Sequence, residues 1–375
     1  MRGSEIFELY GYPVDHWTKE AEDNLRRCHC PFMSCECDGG GNRFSSSVQL
    51  DAENPLKKYF PDKDHIQAGV CSIRLRPGEQ PWIVCPRRLL CYRHDAQSAS
   101  QSRIRRMLYK KAGLQAGVHY SVWSEVKMKC HVKSEAKEGV FDYTFDYVIA
   151  ARGRKKLSEI ATLFGVTQGT AIKRLETGGF TITQRDGVFY CDDFPMLPLV
   201  IVEVMTSSTC GGNKREGTQI SQVFSDTIRL LHGEKGLDPA GPAINYRQVW
   251  ARMVSQLLVK SQVGKAWNGA TYWILQDLLC DYISKTTALN LADFEAFRQN
   301  EVNIIAGGYG DAAFVSRRSK PLVDIKDVKF YSGKVSAGKS TKKSFSDIVK
   351  LGVVPPDSEL YLRLVLKRPC ADICF

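Results

Sequence analysis

The sequence predicts an α/β protein, with a loop-rich cysteine module at its N-terminus and an inserted helix-turn-helix-like segment. Three observations carry this expectation. Apolar β-rich runs at His119–Lys133, Val140–Ala151 and Leu199–Thr206 are followed by amphipathic helices and further short β-runs. Cysteines crowd residues 1–95, where Pro and Gly are frequent and periodicity is weak. Between the second and third β-runs lies Gly153–Pro198, whose pattern is helical and then hairpin-like.

The first two β-runs flank the charged turn Ser134–Gly139, so a hairpin is expected. In the insertion, Lys155–Leu175 reads as two short helices around Gly165, and Phe180–Tyr190 as a small hairpin turning at Asp186-Gly187. After Thr206, Ile220, Phe224, Ile228 and Leu231 share one helix face that stops at Gly233. A second helix begins at Tyr246, carries Val249, Trp250, Met253 and Leu257, and is expected to stop near Gly264. Ala270–Leu275 reads as a strand and Asp277–Ile283 as a helix. The resulting division is an N-terminal region over 1–100, a core over 101–152 and 199–310, an insertion over 153–198 and a basic C-terminal region over 311–375.

With 375 residues, 43% of them hydrophobic, the chain can bury a large core. Its formal net charge of +11 favours a polyanionic partner, because each Lys or Arg placed on a phosphate releases counterions; a merely basic, soluble surface is the plainer alternative. Met1–Tyr10 carries Glu5 and Glu8 and lacks an apolar signal core, and no run reaches the ~18 apolar residues of a membrane helix. A cytoplasmic protein without a membrane partner is therefore expected. In that compartment thiols stay reduced, so clustered cysteines point to metal rather than to disulfides.

Four of them, Cys30, Cys37, Cys71 and Cys85, form the best candidate metal set, with Cys28, Cys35 and Cys91 close in sequence. Thiolates suit Zn or Fe, and a tetrahedral four-sulfur site can brace a segment with few core residues. His29 could replace one thiol, and Cys35 competes with Cys37.

Asp146, in Phe145-Asp146-Tyr147, and Glu203, in Val202-Glu203-Val204, interrupt apolar β-runs. A carboxylate there is costly unless paired or metal-bound, though either could face outward from an edge strand. Two acids on neighbouring strands could hold Mg²⁺ for phosphodiester hydrolysis. Glu125 is an additional candidate acid. Thr206-Ser207-Ser208 and the Gly211–Lys214 turn could hold a phosphate through Ser207, Ser208 and Lys214.

These runs resemble a known family. Cys30-Pro31-Phe32, Gly69-Val70-Cys71-Ser72 and Ile83-Val84-Cys85-Pro86-Arg87-Arg88 are similar to the four-cysteine site of the NotI family of type II restriction endonucleases. Asp146 and Glu203 resemble the acids of the PD-(D/E)xK nuclease core on which that family is built. The resemblance covers most of residues 28–285 apart from the insertion. It implies a structural metal, Fe or Zn, held by the four thiolates of Cys30, Cys37, Cys71 and Cys85. It also implies a catalytic Mg²⁺ on Asp146 and Glu203 with the Val204 carbonyl, in-line hydrolysis leaving 5′-phosphate ends, and a homodimer acting on double-stranded DNA, with a GC-rich palindrome suggested by analogy. Met205 departs from the pattern, standing where the family has Lys or Gln. Methionine cannot orient water or stabilise the charged phosphate, so another group must act, with Lys127 and Lys214 as candidates, or the nuclease is degenerate.

Arg87, Arg88, Arg103, Arg105 and Arg106 are candidate guanine readers, phosphate clamps or plain surface charges. In the insertion, Gln168, Thr170, Lys173 and Arg174 would be exposed on a recognition helix; a two-helix structural lid is the alternative. A non-catalytic DNA-binding regulator would need these but neither acid. Gly333–Ser340 satisfies the P-loop pattern GxxxxGK[ST], yet Asp324, Lys326, Asp327 and Lys329 make the preceding run unsuitable as a buried strand, so no nucleotide cofactor is expected.

Overall fold

The computed structural model describes residues 4–40, 46–92, 99–133, 138–209, 219–239, 241–286, 302–310, 324–333, 358–366 and 370–373. The N-terminal region contains β1 (Glu5–Leu9), β2 (Tyr12–Pro13), α1 (Lys19–Arg26), β3 (His29–Cys30), β4 (Cys35–Glu36), β5 (Ser47–Gln49), β6 (His65–Gln67), β7 (Val70–Arg74), β8 (Trp82–Ile83) and α2 (Pro86–Leu89). Four of its strands form a small sheet in the order β2-β1-β7-β8, and β3-β4 and β5-β6 are separate hairpins.

The second half of the fold begins with α3 (Ser102–Ala112), β9 (Tyr120–Lys133) and β10 (Glu138–Lys156). It continues through α4 (Leu157–Phe164), α5 (Gln168–Thr177), β11 (Ile182–Arg185), β12 (Val188–Met205), α6 (Ile220–Leu231) and α7 (Tyr246–Ala266). β13 (Ala270–Gln276), α8 (Asp277–Thr286), β14 (Val302–Gly308), β15 (Lys326–Gly333), α9 (Ser358–Val365) and β16 (Ala371–Ile373) complete it. The large sheet is mixed, in the order β15-β14-β13-β12-β10-β9-β16, with β11 paired to β12. β9, β10 and β12 form an antiparallel meander, and α7 then carries the chain over to β13, which is parallel to β12.

Strand alternation assigns the two faces of this sheet. Val202 and Val204 join Ile104 and Leu108 of α3 in one cluster, while Ile201 joins Val259 and Val263 of α7 in another. Glu203 therefore points toward α7. Gly264 does not end this helix, which runs on to Ala266. A Cβ at Gly264 would collide with the Thr271 hydroxyl and approach the Ala270 carbonyl carbon to 3.1 Å. The glycine serves the close approach of α7 to β13 rather than a helix stop.

Two further expectations are revised. The N-terminal region has a core of its own: Ile6, Leu9, Tyr10, Leu25, Phe60, Ile66 and Ile73 pack together with Val223, Phe224 and Ile228 of α6. Its strands are too short to show periodicity in sequence, and a helix far downstream completes the cluster. In addition, the last β-run is not confined to Leu199–Thr206, since β12 runs unbroken from the hairpin at Val188 into the core. Pro198 lies where the β10–β12 register shifts, between the Ile149–Val200 and Ala151–Met196 pairs. At such a bulge the missing N–H removes no ladder bond.

The insertion forms the expected two helices and hairpin. Gly165 ends α4 in the left-handed conformation (φ 58°), and Thr167 caps α5 by accepting from the Thr170 N–H. Leu157, Ile160, Ala171 and Leu175 pack into the same cluster as the central sheet, joined by Leu362, Val365 and Leu366 of α9 and its following turn. No described helix is long and apolar enough to cross a membrane.

Candidate active site

Asp146 and Glu203 come together. β10 and β12 are hydrogen-bonded neighbours, with Tyr147 opposite Val202. The Val204 N–H donates to Asp146 Oδ2 at 2.8 Å, locking that carboxylate against the next strand. Glu203 is 3% exposed. Its Oε2 accepts from Lys260 Nζ at 2.5 Å, and the same ammonium donates to the Thr144 carbonyl at 2.6 Å. Glu203 Oε1 has no hydrogen-bond partner.

Burial raises the pKa of Glu203, and the neighbouring Asp146 charge adds to it, while Lys260 opposes both; the net result is a carboxyl pushed up to about 8. Asp146 is also raised, chiefly by burial, with Lys260 and the Val204 N–H opposing. Two buried acids facing one ammonium hold more negative charge than their surroundings neutralise. An orphaned carboxylate oxygen in such a place fits a divalent cation, which needs oxygen donors and lowers both pKa values.

The acids open onto a cleft of about 750 Å³. Asp146, Glu203 and Thr144 line it from the sheet, Arg252, Gln256 and Lys260 from α7, and Gly40, Pro86 and Arg87 from the cysteine module. Met205 and Ser207 border it too. The Ser207 hydroxyl is buried without a partner, whereas Ser208, half-buried, accepts the Asn245 N–H through its carbonyl at 2.7 Å. Lys214 and its glycine turn lie outside the described residues.

Lys260 is the residue that sequence reasoning missed. Lys127, the described candidate for the missing polar group, is exposed on β9 opposite Thr144. The signal for Lys260 was present: a cation directly after Leu257-Leu258-Val259 lies on a helix face otherwise bound for the core. Glu125 does reach the cleft. Phe145 pairs with Val126 and Tyr147 with Ser124, which places Glu125 opposite Asp146, and its backbone is left-handed (φ 49°). That conformation costs a non-glycine residue about 1–3 kcal/mol and is most often retained near functional sites. Its Oε1, however, is engaged by Arg87 Nη2 at 2.6 Å.

The arginine expectations divide. Arg87 is tied to Glu125 and, at 3.2 Å, to Asp38, so it forms part of the cleft wall. Arg88 is fully buried, bound to Glu8 at 3.1 Å and stacked on Phe32 and Tyr309, and is no DNA contact. Arg105 is likewise corrected: it is 5% exposed and donates to Gln101 Oε1 from inside the core-facing side of α3. Lys173 and Arg174 are exposed on α5.

The four thiols also gather. Cys30, Cys71, Cys85 and also Cys91 belong to one buried cluster, with both Cys35 and Cys37 packed against it. Burial raises all four pKa values, Cys85 to about 11, and nearby thiols raise Cys30, Cys37 and Cys71 further. The nearby Cys85 thiol adds to the upward shift of Cys37, and the His29 pKa is lowered by burial and by Arg27. At Gly40 a Cβ would come within 2.7 Å of Cys85 Sγ. Thiol sulfur is the donor a thiophilic cation takes, and such a cation would turn buried thiols into thiolates. Among the described residues, however, no group of three or more His, Cys, Asp or Glu side chains is placed so that it could hold a metal ion, so the four-cysteine metal module expected from the sequence is not shown. The P-loop-like segment lies outside the described residues apart from Gly333, which ends an antiparallel strand pairing only with β14 among them.

No protein-family model and no curated protein matches this chain.

Proposed function

We propose that the chain is a divalent-metal-dependent endonuclease acting on duplex DNA, of the type II restriction class and similar to the NotI family in its PD-(D/E)xK core. The observation that carries this reading is the unpartnered Glu203 oxygen beside Asp146 and Lys260 at the base of an open cleft. Mg²⁺ held by Asp146 and Glu203 would polarise a phosphoryl oxygen and lower the pKa of water.

The chain's own residues supply the rest. Lys260, whose ammonium meets Glu203, would supply the positive charge that Met205 cannot, stabilising the negative phosphate and orienting the attacking water. The Asp146 carboxylate, held by the Val204 N–H, needs no reorganisation during the reaction. The buried Ser207 hydroxyl is a donor for a phosphate oxygen. The thiol cluster, loaded with Fe or Zn, would brace Pro86 and Arg87 in the cleft wall. A homodimer with one cleft per strand is the simplest way to cut a palindrome.

A non-catalytic DNA-binding regulator is the second reading, favoured by the exposed Lys173 and Arg174 on α5. Incubating phage-sized duplex DNA with Mg²⁺ and either wild type or Glu203→Ala separates the two. Discrete fragments carrying 5′-phosphates, lost in the variant, support the nuclease; binding without cleavage in Mg²⁺ or Mn²⁺ supports the regulator.

A further inference from the structure

The contact between Lys260 and Glu203 fixes how α7 lies along β12. β13 is parallel to β12, so α7, which carries the chain back between them, runs the opposite way. The packing agrees. Val259 and Val263 join Leu199 and Ile201 at one end, and Met253 joins Leu275 at the other, with Met205 and Leu257 packed against that cluster. Four residues back from Lys260 rise about 6 Å along the helix, and two residues on from Glu203 advance about 7 Å along the strand. Gln256 therefore stands level with Met205, on the same helix face as Lys260, and Gln256 and Met205 both line the cleft. Gln256 is half-buried, and among the described residues its amide has no hydrogen-bond partner.

From this geometry we infer that Gln256 is a further catalytic residue, whose side-chain oxygen holds the water that attacks the phosphodiester. The assignment rests on the nuclease reading above. In-line attack requires a lone pair of the water to face phosphorus, so its protons must point at acceptors on the protein. The water oxygen bonds to phosphorus, the P–O3′ bond breaks, and its electron pair stays on O3′. One water proton passes to solvent in the open cleft and O3′ takes one from solvent, which leaves a 5′-phosphate and a 3′-hydroxyl. The other nearby acceptors are engaged. Asp146 Oδ2 accepts from the Val204 N–H, and Glu203 Oε2 and the Thr144 carbonyl accept from Lys260. Glu203 Oε1 is the oxygen assigned to the cation. Lys260 brings charge to the water but, as an ammonium, only donates, and the Met205 thioether is a weak acceptor. Ser207 lies past the end of β12, where its N–H is bonded to the Ile83 carbonyl. The Gln256 amide accepts a proton's hydrogen bond without taking the proton, and it adds no third negative charge beside Asp146 and Glu203.

The test compares full-length wild type, Gln256→Ala, and an exchange variant that combines Met205→Gln with Gln256→Ala and so moves the amide across to the strand at the same level. Duplex binding in Ca²⁺ and thermal melts are measured beside Mg²⁺-dependent cleavage. Gln256→Ala should bind duplex and melt like wild type, and lose about tenfold to a hundredfold in kcat with KM nearly unchanged, since a misplaced reactant costs rate rather than affinity. The exchange variant should recover most of that loss. Wild-type kcat in Gln256→Ala, or a loss confined to KM and duplex binding, overturns the assignment and leaves the nuclease reading standing. An exchange variant no faster than Gln256→Ala overturns it too. Wild type that binds duplex but cuts it in neither Mg²⁺ nor Mn²⁺ removes the nuclease reading, and the role of Gln256 falls with it.

Discussion

Glu8 with Arg88 and Glu203 with Lys260 are both buried acid–base pairs, yet only the first is nearly closed. Glu8 accepts from Ser72 at 2.9 Å, from Arg88 through both oxygens at 3.1–3.2 Å and from Tyr309 at 2.5 Å. It ties β1, β7, α2 and the end of β14 together, and every partner comes from the protein. Glu203 keeps one oxygen unpartnered beside a second buried acid and a cleft. Burial alone therefore does not mark function. A buried acid whose partners fall short of its capacity, beside a second acid and a cleft, is where a site is to be sought.

The largest effect expected from this contrast is on stability. Arg88→Ala would strand a buried carboxylate and should cost about 3–5 kcal/mol in urea unfolding. Glu203→Gln keeps an acceptor for Lys260 beside a water-accessible cleft, so its cost without metal should stay at about 1 kcal/mol or less. Equal losses in the two variants would erase the distinction between them.

The pH response should also differ. Glu203 rises from its ordinary 4.5 to about 8 in the folded chain, so between those values the folded state holds a proton that the unfolded state has released. Stability of the metal-free protein from this group should therefore fall as pH rises through that window and level off above about 8. Mg²⁺ should oppose the fall by favouring the carboxylate. Thermal melts from about pH 5 to 9, with and without Mg²⁺, would show it, and Glu203→Gln should flatten the metal-free trend.

A smaller effect belongs to the inserted helices. Replacing Lys173 and Arg174 together by Ala should weaken duplex binding similarly across sequences and lower the salt slope by about 2 if each meets a phosphate. An unchanged slope would make α4 and α5 a structural lid.

The acids were legible because a charge inside an apolar β-run contradicts its surroundings, as at Asp146 and Glu203. The helix-turn-helix shape was legible for a similar reason, with Gly165 and Thr167 marking the turn between two apolar-faced helices. Lys260 was legible only as a cation within an apolar helical run; its role was not, because its partner lies 57 residues away and no local rule links a helix to the strand it crosses. Arg88 and Arg105 misled in the opposite sense. An arginine in a basic run reads as exposed until a distant Glu8 or an enclosing core is known. The N-terminal core was hidden because α6 supplies one side of it.

The most direct measurement is Mg²⁺-dependent cleavage of duplex DNA by Lys260→Ala beside wild type, with binding to the same DNA measured in Ca²⁺. The account predicts a fall in kcat of about a hundredfold or more with duplex binding retained, since a group that stabilises charge only during reaction acts on the rate. Wild-type cleavage rates in Lys260→Ala would contradict it.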